Sequence, residues 1–282
     1  MAKENGFVTS LVTTYRYLKQ RGLLVGTKKS PNFTTTVLPA NQRSAQIEGN
    51  VREKTVSESG YDVWEDGISE IPRPSSLGET FAIVSTSAND TALGTGVQEV
   101  GLDLIDIDGN SVTVNVELNG TTEVVISGSY IFVNDMYASR NYLKANGNYS
   151  VSGGTITIYK QGSPTTNKYS LIREGANKSL TCSRYIPTGY KYLIDSITAT
   201  GDSKGVEGTI RATNTDTGIK VDGFLFKVPF QVSDNAVSIP LRTPIEIMEN
   251  SIVKATLFSA SGSVQNVSIS ILISGRLVPI TQ

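Results

Sequence analysis

From Gly94 to Val133 the chain reads GTGVQEVGLDLIDIDGNSVTVNVELNGTTEVVISGSYIFV. Apolar side chains recur with a period of about two, through Leu102, Leu104, Ile105 and Ile107 and again through Val112, Val114, Val116 and Leu118. A strand sends successive side chains to opposite faces, so this pattern calls for half-buried β-strands and not for a helix. Asp108-Gly109-Asn110 and Asn119-Gly120 supply the positive-φ residues that tight hairpin turns need. The expected class is antiparallel all-β.

The chain has 282 residues, room for two cores of roughly 80–120 residues each. The pattern predicts two antiparallel β-sandwich or jelly-roll-like domains, residues 76–162 and 163–282, behind an N-terminal arm and linker at 1–75. Six or seven strands fall between Phe81 and Lys160. A second set begins at Tyr169 and ends in a strand with Val267, Ile269, Ile271 and Ile273 on one face, as a central or interface strand requires. Trp64 is expected to plug the base of the first sandwich. In the arm, Phe7, Leu11, Tyr15 and Leu18 fall at helix spacing, but the neighbouring β-branched residues weaken a helix, so one short helix and an extended strand fit equally.

No histidine occurs, which removes the commonest general base and the commonest metal ligand. Cys182 is the single cysteine, so it has no intramolecular disulfide partner, and in SLTCSRYIP it reads as a small buried hydrophobe. Asp106, Asp108 and Asn110 resemble the start of a calcium loop, yet Gly109 stands at the fourth position where such a loop needs it sixth, and a hairpin turn explains the same residues. The GTG at residues 94–96 is followed by neither a helix nor a Lys-Ser/Thr pair, so it is no phosphate loop. Glu65 and Asp66 are adjacent, would face opposite ways in a strand, and read as a solvated turn. The expectation is no enzyme, no catalytic residue, no metal and no cofactor.

Charge is unevenly spread. Residues 1–60 hold 9 Lys/Arg against 4 Asp/Glu, residues 61–160 hold 4 against 13, and residues 161–282 hold 12 against 9. The basic arm, with Arg16, Lys19 and Arg21 beside the row Phe7, Leu11, Tyr15 and Leu18, is therefore a candidate protein-docking interface. Lys28 and Lys29 extend that basic stretch near Tyr15 and Tyr17, but no nucleic-acid motif accompanies them and no nucleic-acid partner is expected. The start lacks a secretory apolar core, and no apolar run approaches the ~18–20 residues of a membrane span. The expectation is a soluble protein made in the cytoplasm, with no membrane partner.

Three stretches carry a more specific likeness: Gly94 to Val124, then GGTITI from Gly153 to Ile158, then YIPTGYKYL from Tyr185 to Leu193. In turns and strand faces, residues 78–280 resemble structural virion proteins of tailed bacteriophages of the marine cyanophage type. The resemblance implies a virion component made in the host cytoplasm, working as a homo-oligomer beside other capsid or tail proteins. It carries over no chemical site. A carbohydrate-binding module that recognises a host surface stands as the alternative, with Tyr130, Tyr137, Tyr142, Tyr149, Tyr185, Tyr190 and Tyr192 as candidate contact residues.

Overall fold

The computed structural model describes residues 42–280, apart from 67, 164–166, 203–204, 216, 233–236 and 260–261. Among these residues there are fifteen strands and no helix, so the all-β class holds. They are β1 (Arg43–Ser57), β2 (Tyr61–Asp62), β3 (Glu79–Ser85), β4 (Val97–Asp106), β5 (Ser111–Glu117), β6 (Val124–Asn141), β7 (Ile156–Lys160) and β8 (Lys168–Ile172). There follow β9 (Ser183–Tyr185), β10 (Tyr190–Asp202), β11 (Val206–Asn214), β12 (Lys220–Gln231), β13 (Val237–Ile247), β14 (Ile252–Ser259) and β15 (Ser263–Pro279).

Two sheets form a sandwich: one of order β1-β15-β10-β13, the other β12-β11-β14-β2, with β9 also paired to β14. One core joins them, in which Ile47, Val51, Ile194, Ile210, Leu257 and Ile273 interdigitate. β15 lies between β1 and β10, and its alternating Val267, Ile269, Ile271 and Ile273 are all buried, as their spacing predicts for a central strand. A buried ion pair ties β2 to β14: Lys254 Nζ donates to Asp62 Oδ2 at 2.6 Å while Thr256 Oγ1 donates to Oδ1 at 2.9 Å. With both oxygens hydrogen-bonded, these charges are satisfied out of water.

The third sheet has six strands in the order β5-β4-β6-β3-β7-β8. It rolls around its own apolar face, bringing Phe81, Leu102, Leu104, Val116, Met136 and Ile158 into a second core. The roll is drawn together where the chain after β8 returns to β6: Ala138 N donates to Asn177 O and Ser179 N to Met136 O, both at 2.8 Å. The result is a half-barrel. β6 joins TTEVVIS (121–127), from Val124 on, to SYIFVNDMYAS (129–139), which the sequence pattern predicts as separate strands. Gly128, at φ 121°, bends the chain between them without ending the pairing, because β3 takes up its first part and β4 its second.

The chain is divided differently from the sequence expectation. Residues 43–57, placed in the arm, pair with β15 from Arg43↔Leu277 to Ser57↔Ser263. The reason lies in a short alternation within a polar tract: Ala45, Ile47, Gly49 and Val51 face inward. Trp64 is fully buried, with its indole donating to Ile68 O at 3.0 Å, and it packs in this sandwich rather than in a sandwich spanning 76–162. β8 falls in the half-barrel rather than in the second set. The half-barrel, about residues 79–179, is thus inserted into a sandwich made from 43–64 and 182–279.

Candidate functional site

Phe7, Leu11, Tyr15, Arg16, Leu18, Lys19 and Arg21 lie outside the described residues. Cys182 is wholly buried, and burial pushes its thiol far above the ordinary range, so it behaves as the small hydrophobe its context predicts. Asp106 shapes the expected hairpin: its Oδ1 accepts from Asp108 N at 2.9 Å and Asn110 N at 2.8 Å. Glu65 does not sit in a solvated turn. Its side chain is 3% exposed, Arg52 and Arg173 stand 3.8 and 3.7 Å from Oε1, and Oε2 has no hydrogen-bond partner. Burial raises its carboxyl above the usual range, and the two guanidinium groups bring it only part of the way back. The tyrosines divide: Tyr130, Tyr185 and Tyr192 are core residues, Tyr190 is half-buried, and Tyr137, Tyr142 and Tyr149 are exposed.

Sequence reasoning missed Asp90. Its side chain is completely buried, yet Oδ1 accepts from Val97 N and Gly153 N, each at 2.9 Å, and Oδ2 accepts from Gly154 N at 3.0 Å and the Ser85 hydroxyl at 2.6 Å. Its own carbonyl accepts from Gly120 N at 2.8 Å. One residue therefore ties its own loop to two others, the GG loop through its carboxylate and the Gly120 turn through its carbonyl. A Cβ at Gly96 would collide with Asp90 Oδ1, so the second glycine of GTG is required by close approach. The glycines around Asp90 were the available signal: GTG lies four residues after it, and the GG pair supplies two of its four donors.

The half-barrel and the sandwich meet along a seam centred on Asn134. A register shift between Asp103/Leu104 and their β6 partners leaves Asn134 unpaired in the ladder, and the side chain turns to the sandwich. Its Nδ2 donates to Tyr185 O at 3.0 Å and its Oδ1 accepts from Tyr185 N at 2.7 Å, so a side-chain amide imitates a strand neighbour. Beside it, Ile105, Phe132 and Tyr185 form a small apolar cluster.

The same bulge sets Asp135 directly opposite Asp103, with Thr113 on the other side of Asp103. This polar row is the floor of a cleft of about 520 Å³ whose far wall comes from Arg43–Ala45 of β1, Arg184 and the Pro187–Tyr190 segment. Two adjacent carboxylates repel, and each is offset by a cation: Arg184 Nη2 is 3.6 Å from Asp103 Oδ2, and Lys178 Nζ is 3.5 Å from Asp135 Oδ2. Ser111 Oγ donates to Asp103 Oδ1 at 2.6 Å, and Met136 N donates to Asp135 Oδ1 at 2.9 Å. The Arg184 Nε is buried without a hydrogen-bond partner. Tyr137, 37% exposed, folds down over Gly101, its cross-strand partner; a Cβ there would lie 2.5 Å from the phenol Cζ.

No family model and no curated protein sequence matches the chain. Among solved structures, a Bacillus thuringiensis Cry1Da tryptic core variant is 10% identical, with 88% of this chain and 54% of that one covered and a TM-score of 0.19. The chain thus spans about half the length of that toxin core. The infectious bursal disease virus Gt strain structure is 8% identical, with 88% and 76% covered and a TM-score of 0.19. The VP2 subviral particle of infectious bursal disease virus is 12% identical, with 92% and 77% covered and a TM-score of 0.17. With TM-scores this low, none of the three carries an argument about this chain.

Proposed function

We propose that this protein is a non-enzymatic structural component of a tailed-phage virion, an accessory or decoration protein on the capsid or tail that works as a symmetric oligomer. The observation that carries the reading is the role of the motif that resembles phage virion proteins. Its GTG and GG glycines close around Asp90 and hold loops of the half-barrel together. What such proteins would share is then architecture and not a reaction, in keeping with a chain that has no histidine.

Assembly has a natural route at β5. Its outer edge pairs with no other strand among the described residues, and SVTVNVE contains no Lys or Pro of the kind that protects such edges, its one charge being Glu117 at the end. An antiparallel two-fold pairing about Val114 sets Val112 opposite Val116 of the second copy and Ser111 opposite Glu117, with no like charges facing.

Cryo-electron microscopy of purified particles tests the reading: the chain should occupy many symmetry-related positions on capsid or tail. Particles that lack it would end the proposal. Light scattering tests the edge. The Thr113→Lys/Asn115→Lys variant places lysines opposite each other in that register and should dissociate an oligomer that the wild type forms.

A further inference from the structure

The geometry points to a binding site for a neutral glycan in the cleft between half-barrel and sandwich, with Tyr137 as its stacking platform. This inference does not depend on the virion reading. Its first support is the platform itself. Because residue 101 is glycine, the Tyr137 ring lies down against β4 on one side and stays accessible on the other. An aromatic face carries negative charge at its centre and attracts the polarised C–H bonds on the flat side of a pyranose ring.

The second support is the distribution of polar groups. Asp103 and Asp135 stand side by side on the floor, each with carboxylate lone pairs beyond those already used, which suits them to accept hydrogen bonds from vicinal hydroxyls. Arg184, which also lines the cleft, holds Asp103 in place from the sandwich side, with Nη2 at 3.6 Å from Oδ2.

The third is charge. Arg43 and Arg184 balance Asp103 and Asp135 across the cleft lining, so nothing selects a strongly charged ligand. At about 520 Å³ the cleft falls within the ~300–1,000 Å³ of small-ligand sites.

The test uses the full chain and a panel of neutral oligosaccharides built from glucose, galactose, mannose and N-acetylglucosamine, beside sialylated and phosphorylated ones. Saturation-transfer NMR and titration calorimetry at millimolar concentrations read the binding. A neutral oligosaccharide should bind, and Tyr137→Ala should weaken it by roughly tenfold. Ser44→Trp, an exposed position that fills the cleft from the sandwich side, should abolish binding, and circular dichroism should show both variants folded. If Tyr137→Ala does not fold, Ser44→Trp decides alone. Binding of none of the panel, binding of charged glycans only, or binding that survives in the folded variants would each overturn the assignment.

Discussion

Around Asp90 four donors converge on one carboxylate that has no contact with water, and three of them are backbone N–H groups that cannot be re-aimed without moving a loop. Asp90→Asn keeps the shape but replaces one acceptor oxygen with a donor, so it should cost about 3 kcal/mol or more in urea unfolding, with the loss centred on the half-barrel. Glu65 makes a prediction of opposite character. Its folded carboxyl is held above the ordinary range by burial, so the folded state favours the protonated form. Stability from this group is full below its unfolded pKa and is lost as pH rises through the raised folded value. Glu65→Gln should therefore gain on wild type as pH goes from about 4 to about 7 in paired urea titrations. A constant difference would mean that Arg52 and Arg173 compensate the charge. Neither residue stands out in sequence. A lone Asp in a loop looks like a turn residue and an acidic pair looks solvated, because burial of a polar side chain is decided by what packs over it and not by its neighbours in the chain.

Among the strands, the half-buried ones were legible wherever the alternation was long and apolar, as in β4, β5 and β15. β1 was not, because its inward face is built from Ala45, Ile47, Gly49 and Val51, two of them too small to register in a polar tract. The division of β6 failed for another reason: Gly128 looks like a break, but a bulge lets one strand serve two neighbours. The cleft was half-visible. Tyr137 was among the candidate glycan contacts, whereas Asp103 and Asp135 are brought together only by the register of β4 and β6. The correction to β1 changes a truncation experiment. Removing residues 1–41 should leave the cooperative thermal transition in place, whereas removing 1–57 strips β1 from β15 and should abolish the sandwich's share of it, as differential scanning calorimetry would show.

At the scale of the molecule, two crossings, near residues 71–79 and 179–182, join the half-barrel to the sandwich, and the Asn134–Tyr185 seam, the Arg184–Asp103 pair and the Thr188 N–H bond to Gly109 O add to them. Asn134→Ala leaves a buried backbone N–H and C=O at Tyr185 without partners, an expected loss of about 2 kcal/mol. It should also separate the melting of the two bodies in calorimetry. One transition, unchanged in shape, would show that the crossings and the remaining contacts suffice to couple them. The nesting has a further consequence for how the chain is made. β15 leaves the ribosome after the other fourteen strands, yet it sits between β1 and β10, the former more than two hundred residues earlier. The half-barrel, with all its strands emerged by residue 179, can close while synthesis continues, whereas β1 and β10 must wait with unpaired edges until residues 263–279 arrive. The sandwich is therefore the slow step of biogenesis, and its two waiting edges are where a nascent chain is open to pairing with the wrong neighbour.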